Sequence, residues 1–238
     1  YDEKNKYIVM EYFDNKNFST LKQLYFKKEV SLNTIKSISK HLFKIHKESK
    51  NLKIKKKFSG NKKNFFDLRL DAYFNEVGRV YPNYKKYINK INKNYYENSS
   101  TLVHGDFSPK NILIGNKKII YIDAECCNYG DPVFDLVFFS NHLLIKSIVI
   151  KDCKKKFLKG YKIFYNEYLK KINQNNLKKF VERIIRMTPI MLLARIDGKS
   201  PVEYIKSNNI KDLIRLKSFK LLNEKIDSID DIVKIIDE

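Results

Sequence analysis

A β-hairpin pattern set inside an otherwise helical sequence constrains this chain more than any other feature. Ile112-Leu113-Ile114 and Lys118-Ile119-Ile120-Tyr121-Ile122 are apolar runs of strand length on either side of Gly115-Asn116-Lys117. Two such runs about a Gly-Asn turn predict an antiparallel pair. Thr101-Leu102-Val103 predicts one more short strand. Elsewhere apolar residues recur at three- or four-residue steps. In 31–49, Ser31 can cap a helix whose inward stripe is Leu32, Ile35, Ile38, Leu42 and Ile45. Further helices are expected at about 18–27, 66–79, 82–97, 132–149, 151–172, 176–195 and 201–222, with a short one near 228–237. Asp14-Asn15-Lys16-Asn17 reads as a turn, and the Lys/Asn-rich stretch 50–64 as a polar surface connector. The fold class is α+β and mostly helical, with a small β island in the middle.

The start of the chain fits this picture poorly. Tyr7 to Phe13 is a strand-like run with almost no lead-in, and a strand needs a neighbour to take its backbone groups. Residue 1 is Tyr rather than Met, so the chain is expected to be a fragment whose missing N-terminal part carried the neighbouring strands.

The hairpin also carries the chemistry. Asn111 precedes its first strand and Asp123 follows its second, so pairing brings the two side chains to the open end of one hairpin. Asp106, five residues before Asn111 on a Gly- and Pro-containing loop, can reach the same place. One Asn and one Asp, with few other protein ligands, suit a Mg²⁺ that also holds phosphate oxygens and water. A further carboxylate, not needed for the metal, can take a proton from a hydroxyl. That combination describes phosphoryl transfer. Any one of these residues alone would be better read as turn or capping chemistry. Three converging on one hairpin end are not.

Charge points elsewhere, and misleads. With 48 Lys+Arg against 27 Asp+Glu the formal net charge is +21, which invites a nucleic-acid reading. Only six of those basic residues are Arg: Arg69, Arg79, Arg183, Arg186, Arg195 and Arg215. Arg is the residue that forks onto phosphates and bases. Lys, Asn and Ile, all abundant here, share A/T-rich codons, so a solvated Lys surface is the better account and no specific nucleic acid is expected. A 43% hydrophobic content excludes general disorder. No stretch approaches the length of a membrane span, and no secretory segment opens the chain. Cys126, Cys127 and Cys153 lack the spacing of a disulfide framework or a zinc site, which makes a cytoplasmic location the expectation. His41 and His46, five residues apart, do not share a helix face, so metal ligation by them is not expected.

His104-Gly105-Asp106-x-x-x-x-Asn111, the hairpin, Ile122-Asp123-x-Glu125 and Gly130-Asp131-Pro132-x-x-Asp135-Leu136 together resemble the aminoglycoside phosphotransferase/choline kinase family. These are small-molecule kinases with a protein-kinase-like fold, and the likeness covers nearly the whole chain. It implies a kinase-type C-terminal lobe over 15–238. Residues 1–14 would be the last N-lobe strand and hinge, with the rest of that lobe absent, including the glycine-rich loop and phosphate-binding Lys. It implies ATP and Mg²⁺ as cofactors and a small polar molecule bearing a hydroxyl as acceptor, with no membrane partner. Asp106 would be the catalytic base, and Asn111 and Asp123 the metal ligands. His104 and Asp135 would support the loop. Met10 would stand at the gatekeeper position, and Glu11, Tyr12 and Phe13 would meet adenine. Glu125 could stand near the metal or simply on the surface. Arg195 could reach the acceptor cleft, although an ion pair with Asp197 or another acid is the more economical expectation. The alternative function is a catalytically incompetent fragment or pseudokinase-like binding module. Few acidic residues stand out after residue 136, which counts against a polycationic acceptor such as an aminoglycoside.

Other signals have simpler readings. Gly198-Lys199-Ser200 resembles the end of a phosphate-binding loop, but Leu193 stands where that loop needs Gly. Gly198 is expected to end one helix, and Ser200-Pro201-Val202-Glu203 to start the next as a capping box. Pro189 should kink the helix before it. Cys126 and Cys127 are expected to be packing residues.

Overall fold

The computed structural model describes residues 2–7, 9–115 and 118–238. An Asx turn at Asp14 opens the ordered part: its carboxylate accepts from the amides of Lys16 and Asn17 at 2.8 and 2.9 Å. Strand β1 (Ser19–Thr20) and helix α1 (Leu21–Phe26) follow, joined by a reciprocal capping box of Thr20 and Gln23. Helix α2 spans Leu32–Glu48 with Ser31 as its cap, as its spacing predicts.

The stretch 50–64 is not a loop. It forms α3 (Leu52–Phe58), a 3₁₀ turn and α4 (Lys62–Phe65). Asn51 caps α3 by accepting from the Ile54 amide at 2.9 Å. Lys55, Lys56 and Lys57 sit in its last turn, where the helix dipole favours cations. The next predicted helix is a π-helix over Phe66–Asn75 running into α5 (Glu76–Val80), followed by α6 (Lys85–Glu97).

The β island has two sheets. Strand β2 (Thr101–Val103) pairs antiparallel with β5 (Asn128–Gly130), a strand not foreseen in the sequence. Strands β3 (Ile112–Gly115) and β4 (Lys118–Tyr121) form the predicted hairpin, with Ile112 opposite Tyr121 and Gly115 opposite Lys118. β1 adds to the outer side of β3. The expected turn residues Asn116 and Lys117 lie outside the described residues. So does Ile8, within the strand expected over 7–13. Residues 9–13 have no regular structure, and Tyr7 makes only an isolated bridge with Asp2. No described strand lies beside them to complete a sheet.

The remaining helices are α7 (Val133–Val149), α8 (Lys154–Leu169), α9 (Gln174–Asp197), α10 (Asn208–Asn223) and α11 (Ile229–Asp237). α9 runs as one element through Pro189. α10 begins seven residues later than the capping-box reading placed it. The reason is local: the Ser200 carbonyl accepts from the Arg195 guanidinium at 2.6 Å, and the Val202 amide donates to the Arg195 carbonyl at 2.9 Å. These bonds hold 200–202 across the end of α9 instead of in a new helix. Every residue from Val133 to Ile148 is buried, so α7 is the central rod, with α8 and α9 packed on it and α2 on α8. All three cysteines are buried and unpaired. Among the described residues no single helix is long and apolar enough to cross a membrane.

Asp131, just before α7, is fully buried and held by Arg183 of α9 at 2.8 Å. Desolvation pushes its carboxyl up, and the Arg183 charge opposes that shift. Removing one partner of such a pair leaves an uncompensated charge. Arg183→Met should therefore cost about 3–5 kcal/mol in urea denaturation, and Asp131→Asn added to it should recover a large part.

Candidate active site

The loop between β2 and β3 is built around a carboxylate it does not contain. Asp135, in the first turn of α7, accepts from the amides of His104 and Gly105 at 2.8 and 3.0 Å. Its second oxygen also meets His46 Nε2 at 3.2 Å, and His46 Nδ1 meets the Tyr168 hydroxyl at 2.7 Å. These bonds tie the loop to α7 through Asp135. His46, dismissed as a ligand from its spacing, belongs to the same brace. Gly105 has φ +80°, and a Cβ there would lie 2.7 Å from the Cys126 carbonyl oxygen. Only glycine fits that approach.

His104 ties the loop to the far strand. Its Nδ1 accepts from the Asp106 amide at 3.2 Å and its Nε2 meets the Ile122 carbonyl at 3.1 Å. These partners select the tautomer with hydrogen on Nε2. The Ile122 amide in turn donates to the Asn111 carbonyl at 3.0 Å, which extends the hairpin by one pair. Asn111 therefore lies opposite Ile122, the residue before Asp123, at the open end of the hairpin. The Asn111 amide nitrogen donates to the Asp106 carbonyl at 3.0 Å, leaving its oxygen as the atom free to face a cation.

Asp106 is 6% exposed. Its carboxylate faces Arg69 at 3.3 Å and Lys110 at 3.0 Å, and Lys110 also reaches Asp123 at 3.9 Å. Partial burial pulls the Lys110 ammonium down, but Asp106 and Asp123 hold it above its ordinary value. Arg69 further donates to the Gly105 carbonyl, so one guanidinium fixes both the loop and its acid. It comes from the π-helix, a form often found at functional sites. Asp123 has φ +65°, the left-handed region that Asp tolerates better than most residues.

Asn111 and Asp123 offer two hard oxygen donors. No group of three or more His, Cys, Asp or Glu residues able to cage a metal occurs among the described residues. A two-donor site fits Mg²⁺ completed by phosphate oxygens and water, and fits a dedicated all-protein cation site badly.

A cavity of about 270 Å³ opens beside Asp106, and Asp123 and Glu125 line it on the hairpin side. Glu125 is exposed. The opposite wall contains His142, Lys146, Arg195 and Tyr204. Arg195 does reach this cleft, but the ion pair expected with Asp197 does not form. Asp197 is taken by Arg215 at 2.6 Å and by the Tyr81 hydroxyl at 2.8 Å, while Arg195 turns to the Tyr73 hydroxyl at 2.8 Å. Met10 and Tyr12 are 80% and 81% exposed, Glu11 is exposed and Phe13 half-buried against Phe18. The backbone groups of Met10 to Phe13 make no hydrogen bond with other described residues.

Sequence reasoning missed Arg69, Lys110, His142 and Lys146. For the arginine a signal existed, since Arg is scarce in this chain and each one kept deserves a reason.

Lys146 is buried, and desolvation pushes its ammonium down to about 7, with Lys22 adding to the effect. Below pH 7 it is charged in both folded and unfolded chains. Between about 7 and 10.5 only the unfolded chain holds the proton, so stability rises with pH across that window. Lys146→Met should abolish this rise and gain on the order of 2 kcal/mol at pH 6. Urea titrations at pH 6 and pH 9 measure both.

No curated protein matches this chain. Among solved structures, a spectinomycin phosphotransferase, APH(9)-Ia, in complex with ADP and spectinomycin, aligns over 89% of this chain at 19% identity and a TM-score of 0.43. The match spans 66% of that structure's own chain. The sequence profile of the ecdysteroid kinase-like family matches residues 8–174. That range covers well over half of the chain and includes the whole segment 104–136, whose motifs carried the likeness to small-molecule kinases. The chain belongs to the ecdysteroid kinase-like family.

Proposed function

We propose that this chain carries the catalytic lobe of an ATP- and Mg²⁺-dependent phosphotransferase acting on a hydroxyl of a small molecule. The observation that carries the reading is the buried Asp106 carboxylate facing a cavity, with Asn111 and Asp123 brought beside it by the hairpin register. The acceptor hydroxyl gives its proton to Asp106 as its oxygen bonds to the γ-phosphorus, and the bond from that phosphorus to the β-bridging oxygen breaks. Arg69 and Lys110 hold the carboxylate in place while it does so. Asn111 and Asp123 would hold Mg²⁺, which supplies charge neutralisation on the nucleotide phosphates. The free backbone groups of Glu11 to Phe13 suit adenine, and residues 1–14 would then act as hinge and 15–238 as the catalytic lobe. Glu125, on the cavity wall near Asp123, would serve beside the metal. A cavity of about 270 Å³ lies just below the ~300–1,000 Å³ usual for ligand sites, which favours a compact acceptor over one of steroid size.

Asp106→Asn keeps shape and removes the base. It should lower kcat by about 10³-fold while Mg-ATP binding, read by calorimetry, stays within a few-fold. Full activity in this variant would sink the assignment. Asp123→Ala should act on the metal instead: activity lost at millimolar Mg²⁺, and nucleotide affinity reduced about tenfold or more. Failure of the wild-type chain to bind Mg-ATP would favour the non-catalytic binding-module reading.

A further inference from the structure

The two sides of the cavity differ in how their charges are balanced. On the loop side Arg69 and Lys110 meet Asp106, while Lys22 is paired with Glu203, beside Tyr204. On the wall made by α7 and the end of α9, Lys146 and Arg195 form no ion pair with any described residue. Lys146 Nζ has one polar partner, the Tyr204 hydroxyl at 3.3 Å, and lies 4.6 Å from the centre of that ring. Arg195 commits Nη1 to Tyr73 and Ser200, and its buried Nε has no partner. His142, one turn before Lys146, has both ring nitrogens buried and unpartnered, and burial pushes the imidazole well below its ordinary value. The three side chains are buried, at 6%, 1% and 8% residue exposure for His142, Lys146 and Arg195.

Such a wall is expensive in an isolated protein. A buried donor without an acceptor forfeits its hydration, and two cations on one wall repel each other. Desolvation is the main cause that holds the Lys146 ammonium down; Lys22 and Arg195 add to it, and Glu203 opposes it. The unpaired cationic donors are relieved together by one ligand feature, a group with negative charge and several acceptor oxygens, which can also accept from the one N–H of the neutral His142 ring. We infer that the α7–α9 wall is an oxyanion subsite, so that the acceptor bears a carboxylate or phosphate ester besides the hydroxyl it presents to Asp106.

The geometry restricts that acceptor further. Base and cationic wall line one cavity of about 270 Å³, so hydroxyl and oxyanion belong to the same compact molecule. A cationic acceptor would bring like charge against Lys146 and Arg195, and the Glu203 carboxylate that lines the same cavity is already paired with Lys22. A neutral one could accept hydrogen bonds there but would leave the positive charge of Lys146 and Arg195 uncompensated. The inference takes its meaning from phosphotransfer at Asp106, but it concerns binding and is tested without turnover.

The experiment is calorimetric titration of the nucleotide-free protein with matched probes: glycerol, glycerate and glycerol 3-phosphate; glucose, gluconate and glucose 6-phosphate; and choline. At least one anionic probe should bind tenfold or more tighter than its neutral partner. The carboxylate and phosphate arms show which oxyanion the wall prefers. That advantage should fall about tenfold in Lys146→Met, which removes a destabilising charge and folds at least as well as the wild type. It should fall severalfold in Arg195→Lys, which keeps the charge and loses Nε. Equal or tighter binding of the neutral probe or of choline, an advantage unchanged in Lys146→Met, or no binding of any anionic probe at millimolar concentration would each overturn the inference. None of these results touches the Asp106→Asn assay, and an inactive Asp106→Asn variant does not rescue the subsite.

Discussion

One buried carboxylate holds the active-site region together. Asp135 is 1% exposed, yet it accepts from two successive backbone amides and a histidine ring. A carboxylate so placed is compensated only if all its donors stay in position, so it specifies one loop conformation and punishes others. Because Asp135 is part of α7, the loop that carries Asp106 is referenced to the central rod and not to the hairpin alone. His104 then passes that reference to Ile122, next to Asp123. Asp106 and Asp123 are thereby positioned from one anchor.

Charge on this protein separates into two populations. The Lys-rich coat that produces +21 is solvated and pairs locally, as with Lys28 and Asp152 or Lys162 and Asp230. Such pairs contribute little. The arginines behave differently. Arg69 fixes Asp106, Arg183 fixes Asp131, Arg215 fixes Asp197 and Arg195 faces the cavity. A planar fork that is always charged suits buried two-point contacts that an ammonium serves poorly. Four of the six arginines thus stand where a fixed fork geometry is used, whereas Arg79 makes only exposed surface pairs with Asp71 and Glu76.

What could be read from the sequence follows the range of the interactions involved. The hairpin, α2, the fully apolar α7 and the pairing of Asn111 with Ile122, beside Asp123, depend on periodicity and strand register, which are written locally. β5 could not be read that way, because Asn128-Tyr129-Gly130 has no strand signature and exists through its pairing with β2. The helices within 50–64 were masked by composition: lysines there suggest a loop, whereas Asn51 and the helix dipole make them favourable. The late start of α10 and the partner choice of Arg195 both arise from contacts between α9 and the segment after it, which no spacing rule encodes. The cationic wall is legible only in three dimensions, since α7 reads as a core helix that happens to contain His142 and Lys146.

That last point links fold to substrate. Asp135, His142 and Lys146 fall at intervals of seven and four residues along α7, so they share one helix face. The span from Asp135 to Lys146 is roughly 16 Å of rigid, fully packed helix. The catalytic loop is fastened at one end of this stripe, and the unpaired ammonium stands near the other. A buried helix gains nothing in stability from a desolvated lysine and an unpartnered imidazole; apolar residues of similar volume would pack without penalty. Retaining polar groups there fixes the distance between the loop that presents Asp106 and the wall that meets the other end of the acceptor. Substrate length on this reading is set by helix rise, and a one-residue insertion between Asp135 and Lys146 would rotate Lys146 out of the cavity while leaving the Asp135 anchor in place.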